Sequence, residues 1–492
     1  MSKKRSVSRA FAALSVIASS LIVQDAFAAP IELQECRLQT PLSNGSAAAR
    51  CGVLDVAENR ADPTGKHIAI HVAVIPALRS KPEQDPLFLL SGGPGQAASD
   101  MYLSLSPVFS RIRQSRDLVI VDQRGTGKSN RLDCTLPDDS ELISTDPEQL
   151  HALTRKCIAS LSGDPRFYTT SIAVRDLDEV RAGLGYERID LYGVSYGTRV
   201  AQHYMRRYPN RVRAVILDGV VPPEMALGPD VAIDAQHALD RIFARCGEDP
   251  KCNERFPTLA EQFHQLQLRL QHPEQVQLAD PLTAQPTTTP FGLPELTAAI
   301  RLLSYTDETA STLPLLIAGA KTDLGAQALA AQYLMIRRST SLQIAYGMHF
   351  AVVCSEDAPR WSQSKITDAD LERTYIGVSF MQSMRSICSD WPRGEVDADF
   401  SAPLQNSIPT LLLSGGNDPV TPARYAERAA RGLANSRQLV LKDQGHGQIA
   451  VGCMPQVVTH FIEAGSVKDL DVKCLDHVAP AAFLLTRTAT AP

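Results

Sequence analysis

Ile189-Asp190-Leu191-Tyr192-Gly193-Val194-Ser195-Tyr196-Gly197 is the stretch whose reading decides the fold. Its first four residues are mostly apolar and bulky, as in a strand buried on both faces, and Thr198 to Tyr208 then reads as a helix stopped by Pro209. A Gly-x-Ser-x-Gly turn between a strand and a helix forces the serine into strained backbone geometry, and small residues on either side relieve the crowding. The Ser195 hydroxyl is left exposed above the sheet, and the next backbone N–H, that of Tyr196, points at an incoming oxyanion. The bare pattern recurs by chance; the strand before it and the helix after it make it informative.

Working outward, short β-rich runs alternate with helical stretches from about residue 67, which is how a mostly parallel sheet with helices on both faces is written. The strand candidates are His67 to Ile75, Pro86 to Leu90, Leu118 to Asp122, Ile189 to Tyr192, Val212 to Asp218, Thr410 to Ser414 and Gln438 to Lys442. Ser171 to Leu184 reads as a helix ending at Gly185. From about Pro222 to Ala402 the alternation breaks into a helix-rich segment with a polar Pro/Thr patch near Ala284 to Pro290. The division expected is a sheet core over 29–222, an inserted helical cap over 223–402, and the rest of the core over 403–492.

A serine hydroxyl is a poor nucleophile near neutral pH and needs a base, with an acid behind that base. In this topology the chain order is serine, acid, histidine. Of eleven histidines, His446 stands out, in Gln444-Gly445-His446-Gly447 after a late strand; His203, on the helix after the serine, reads as structural. Asp418 follows the strand at Thr410 through Gly415-Gly416-Asn417 and would emerge at the same sheet edge. Its bland reading is an Asx turn before Pro419, and Asp218 is its rival as the acid.

Ser91-Gly92-Gly93-Pro94-Gly95 follows the strand-like Leu87 to Leu90 and lets backbone N–H groups approach a substrate oxygen, most directly through Gly93. Gly125-Thr126-Gly127-Lys128-Ser129 mimics the end of a phosphate loop, but Asp122 stands where that motif needs glycine.

At 492 residues, 44% apolar and 21% charged, the composition is that of a globular chain with a large core. A net charge of −5 without a long run of one sign argues against a nucleic-acid partner. Lys3, Lys4, Arg5 and Arg9, the apolar Ala10 to Val23, and Ala26-Phe27-Ala28 read as a cleaved export signal over residues 1–28. Cleavage near Ala28 would move the charge to −8 and deliver the chain to the periplasm or the exterior, with no stable membrane insertion. The ten cysteines fit an oxidising compartment, and as successive neighbours they would pair 36 with 51, 134 with 157, 246 with 252, 354 with 388, and 453 with 474. No Cys or His cluster has zinc-ligand spacing, so no metal or other cofactor is expected.

Taken together, Ser91 to Gly95, Asp122-Gln123-Arg124-Gly125-Thr126-Gly127, the Gly193 to Gly197 turn and the Asp418 and His446 loops resemble the proline iminopeptidase and tripeptidyl aminopeptidase group of α/β-hydrolases. The resemblance runs from about Pro30 to Cys474 and is closer to the exported, cysteine-containing tripeptidyl branch. It implies cofactor-free serine acyl transfer that releases short peptides or single residues from a free amino terminus. Ser91 departs from the histidine that many members carry there. In related aminopeptidases a cap acid pairs the substrate ammonium, and Val353-Cys354-Ser355-Glu356-Asp357 resembles that segment, with Glu356 first and Asp357 second. A solvated acidic turn is the alternative for these two. An exported carboxylesterase with the same triad is the alternative for the whole chain.

Overall fold

The computed structural model describes residues 30–40, 43–134 and 146–486. The expected export signal, residues 1–28, lies outside them. The strands in chain order are β1 (Gln34–Thr40), β2 (Ser43–Ala57), β3 (His67–Ile75), β4 (Leu87–Leu90), β5 (Leu118–Val121) and β6 (Ile189–Val194). They continue with β7 (Val212–Asp218), β8 (Glu274–Ala279), β9 (Pro286–Phe291), β10 (Thr410–Gly415) and β11 (Ser436–Leu441).

Nine of them form one sheet in the order β1-β2-β3-β5-β4-β6-β7-β10-β11. Strands β5, β4, β6, β7, β10 and β11 run parallel, and β1, β2 and β3 close one edge as an antiparallel meander. All seven strands read from the sequence are present, shifted by two residues at most.

The parallel strands read as unbroken apolar runs because both faces are covered. Phe88, Val119, Leu191, Val215 and Leu412 pack on one side with Val174, Leu177, Val200, Tyr204 and Ala426 from three helices. Leu89, Ile120, Tyr192, Ile216 and Leu413, one position on, pack on the other with Met101, Tyr102, Val457 and Phe461. The period-2 alternation of a strand thus feeds two cores at once.

Strands β1 and β2 were not legible as strands. β2 is rich in Ala, Gly and Ser, which have weak strand preference, and it holds its form by pairing with β3 from Arg50 to Ala57 and by the Cys36–Cys51 disulfide to β1. All five cysteine pairings read from neighbour order are formed. Disulfides in this number belong to an oxidising compartment, extracellular or periplasmic. No helix of the described residues is long and apolar enough to cross a membrane.

The chain leaves the sheet after Asp218 and returns at Thr410. Between them Leu239, Phe263, Ile300 and Leu329, from four helices, share a separate apolar core. This segment is not wholly helical: β8 and β9 pair as an antiparallel hairpin over the Pro/Thr patch, whose two prolines make it read as a loop.

Candidate active site

Ser195 stands between β6 and the helix Tyr196–Arg207, at φ 56° and ψ −123°. That conformation is costly for a residue with a Cβ and is sustained by its surroundings. The Ser195 N–H donates to Asp218 O at 2.8 Å, while Thr198 donates to Ser195 O from its N–H at 2.9 Å and its hydroxyl at 2.6 Å. The flanking glycines are steric necessities. A Cβ on Gly193 would lie 2.4 Å from Gly197 O, and one on Gly197 would lie 2.2 Å from Leu90 O.

The loop after β4 lies over the serine: a Cβ at Gly92 would stand 3.1 Å from Ser195 Cβ and 3.6 Å from its Oγ. Gly93 has φ 108°, and its N–H donates to no acceptor among the described residues. Tyr196 opens its helix, so its N–H has no intrahelical acceptor. The loop is fixed from the insertion, where Ala345 N–H donates to Gly95 O at 3.0 Å and His349 Nδ1 lies 3.0 Å from Pro94 O.

His446, after β11, places Nδ1 2.7 Å from Asp418 Oδ2. The Asx turn foreseen before Pro419 is also real: Asp418 Oδ1 accepts the Val420 and Thr421 N–H groups, both at 2.8 Å. One carboxylate therefore shapes its loop with one oxygen and holds the imidazole with the other, and the Thr421 hydroxyl adds a bond to Oδ2 at 2.7 Å. Burial alone would raise the Asp418 carboxyl, but the His446 charge and these hydrogen bonds hold it below its ordinary value. For His446 burial works against protonation, and Asp418 with Asp218 outweighs it, so the imidazole titrates above its ordinary value.

Asp218, the rival acid, is engaged elsewhere. Its carboxylate accepts Gln448 N–H at 2.7 and 3.0 Å, Ile449 N–H at 3.0 Å and the Tyr192 hydroxyl at 3.1 Å. Burial pushes it up to about 6. It anchors the loop that carries the histidine. The next residue, Gly219, adopts φ 63°, and a Cβ there would meet His446 Cε1 at 2.8 Å, so the serine turn and the histidine converge on residues 218–219.

Glu356 and Asp357 do not form a solvated turn. They lie on a π-helical turn, Val353–Asp357, at 3% and 1% exposure. Asp357 takes both terminal nitrogens of Arg199, at 2.9 and 3.2 Å, with Leu227 N–H at 3.0 Å and Arg360 at 3.3 Å. Glu356 accepts the Thr170 N–H at 2.6 Å and its hydroxyl at 3.0 Å, and stands 3.6 Å from Arg199. The Thr170 hydroxyl is 2.6 Å from Tyr196 Oη, which accepts from Gln123 Nε2 at 3.0 Å. This polar chain reaches from the residue after Ser195 to the acid. Burial pushes Glu356 up to about 7, against the pull of Arg199.

The other sequence signals resolve as architecture. Asp122 accepts Ser99 N–H at 3.0 Å and Lys128 N–H at 3.2 Å, so a side chain of the protein closes the loop that mimics a phosphate cradle. Arg124 is buried against Asp176. His203 is paired with Asp397 at 2.9 Å. Trp391 is core and Trp361 donates to Leu227 O, whereas the Tyr305 ring packs edge-on against His446 with centroids 5.5 Å apart. Its position in the sequence carries no motif that could have singled it out.

A serine on a strained elbow and an imidazole held by a carboxylate are the parts that acyl transfer requires. Residues 85–253 match the family of the alpha/beta hydrolase fold, and residues 373–474 match the TAP-like protein family. The serine protease Hip1 of Mycobacterium tuberculosis is 24% identical, covering 90% of this chain and 91% of that protein. The tripeptidyl aminopeptidase of Streptomyces coelicolor is 25% identical, covering 88% and 84%. A proline iminopeptidase of Lactobacillus crispatus is 29% identical over a shorter stretch, covering 28% and 37%. The chain has the α/β-hydrolase fold, with a C-terminal part that matches the TAP-like family over residues 373–474.

Proposed function

We propose that this protein is an exported serine peptidase that releases short peptides or single residues from the free amino terminus of peptides. The observation that carries the reading is the Asp418–His446 bond of 2.7 Å, with the strained Ser195 turn and the histidine both meeting residues 218–219, in a chain aligned over most of its length with a serine protease and a tripeptidyl aminopeptidase.

In this reading Ser195 Oγ attacks the scissile carbonyl and its proton passes to His446 Nε2, with Asp418 holding the tautomer and stabilising the imidazolium. The Gly93 and Tyr196 N–H groups receive the oxyanion. His446 then protonates the leaving amine, and water repeats the sequence on the acyl-enzyme. The insertion over residues 223–402 acts as a cap, and its contacts with the oxyanion loop restrict access to chain ends.

An ammonium taken out of water must be paired. Glu356 is the better candidate for that partner, because Arg199, Arg360 and Leu227 already saturate Asp357, whereas the Glu356 carboxylate, among the described residues, accepts only from Thr170 at hydrogen-bond distance. The five disulfides accord with removal of residues 1–28 on export.

The test is to assay the mature protein and Ser195→Ala on fluorogenic alanyl-, prolyl- and tripeptidyl-amides with free and acetylated amino termini, beside a short acyl ester. Among the amides, serine-dependent release from free termini alone is expected, with the ester cleaved by the same serine. Ester cleavage without amide turnover would replace this reading by a carboxylesterase.

A further inference from the structure

The histidine loop is held from below by Asp218 and from above by the insertion. The link is Tyr305, in the turn between the helices Leu293–Leu303 and Asp307–Ala310. Its carbonyl accepts the His446 N–H at 2.5 Å, and its ring meets the imidazole at an interplanar angle of 74°. The fit is tight: a Cβ at Gly445 would lie 2.1 Å from Tyr305 O and 3.1 Å from Thr306 Cα. Only glycine admits this approach. We propose that Tyr305 is a positioning residue for His446, supplied by the cap, so that the general base is set in place only when the cap is seated.

The cap turn is itself strapped down by the end of the chain. Ala481 N–H and Arg245 both donate to Asp307, two residues after Tyr305. Leu484 N–H donates to Ser311 O at 3.1 Å, and the Arg245 guanidinium lies 4.5 Å over the Phe483 ring. Phe483 is buried in the cap core. The residues after the Cys453–Cys474 disulfide thus cross from the sheet domain to the element that touches the base. A small error in the placement of a general base costs turnover more than binding.

This inference rests on His446 being the base, and the experiment separates the two. Hydrolysis of a p-nitrophenyl ester of a short acid is measured for the mature protein, Tyr305→Ala, Tyr305→Phe, His446→Ala and a chain ended at Pro480. Tyr305→Ala is expected to lose about tenfold in kcat with KM within about twofold, and Tyr305→Phe, which restores the ring, to recover most of it. The shortened chain is expected to show the same kcat-directed loss. The inference is overturned if Tyr305→Ala keeps its kcat, or if phenylalanine fails to rescue it, while His446→Ala is inactive. Full turnover in His446→Ala would instead overturn the triad, and this inference with it.

Discussion

The Ser195 N–H donates to the main-chain oxygen of Asp218 at 2.8 Å, and the side chain of that same aspartate receives the N–H groups of Gln448 and Ile449, just past His446. One residue thus spaces the Ser195 turn from the histidine loop. Asp218→Asn keeps the size but sets an amide N–H against backbone donors. The variant is expected to lose about 1–3 kcal/mol of stability in urea melts. Its kcat should also fall at least about tenfold through misplacement of the base. Wild-type kcat in a folded Asp218→Asn protein would show that the spacing is held by other contacts.

The pH dependence of kcat/KM follows from the sign of the His446 shift. A base must be neutral to accept a proton, and Asp418 with Asp218 raises the imidazole above its ordinary value. Activity should therefore fall, as pH is lowered, at a higher pH than for a free histidine. Asp418→Asn should move that limb to lower pH and cut kcat by about 10⁴, since the carboxylate fixes tautomer and charge together. Stopped-rate assays from acid to mild alkali read both effects. An unmoved limb would point to a different titrating group.

Strain at the elbow predicts a separation of stability from activity. Ser195 holds φ 56°, which glycine adopts freely. Ser195→Gly should be more stable than Ser195→Ala by about 1 kcal/mol, the relieved strain exceeding the added chain entropy. Both should be inactive. Thermal melts of the pair test this directly, and equal melting temperatures would mean that the turn is relaxed.

Glu356 should show itself in KM. Its carboxyl is pushed up to about 7, and an ammonium pairs only with the ionised form. KM for free-amine substrates should rise as pH falls through about 7, while that of an ester without an amine shows no such rise. Glu356→Gln should abolish the difference between free and blocked termini. A variant that still discriminates would assign Glu356 to structure, with Arg199 and Thr170 as its purpose.

Much of this site was written locally. Gly193, Ser195 and Gly197 lie within one turn, and a turn's geometry depends on its own few residues. The parallel strands are apolar throughout because helices cover both faces, so composition alone marked them. Cysteines paired with near neighbours because short loops close readily. By contrast β2, with its alanines and glycines, is a strand only through its partners, and the Pro/Thr hairpin of β8 and β9 is visible only once Val276, Leu278 and Phe291 find the inserted segment's own apolar core.

What the sequence determined by itself was the order of parts: a strand, a serine elbow, two acids at strand ends, a late histidine and an interruption between them. Which acid serves the histidine was decided only in three dimensions. Asp218 and Asp418 both follow core strands, and the choice depends on where their loops run: Asp418 turns at Pro419 toward Nδ1, while Asp218 is taken up by backbone donors beneath. The partners of Glu356 and the approach of Tyr305 to His446 are likewise contacts between segments far apart in the chain. Local propensity cannot specify them, because they exist only after the segment between Asp218 and Thr410 has packed onto the sheet.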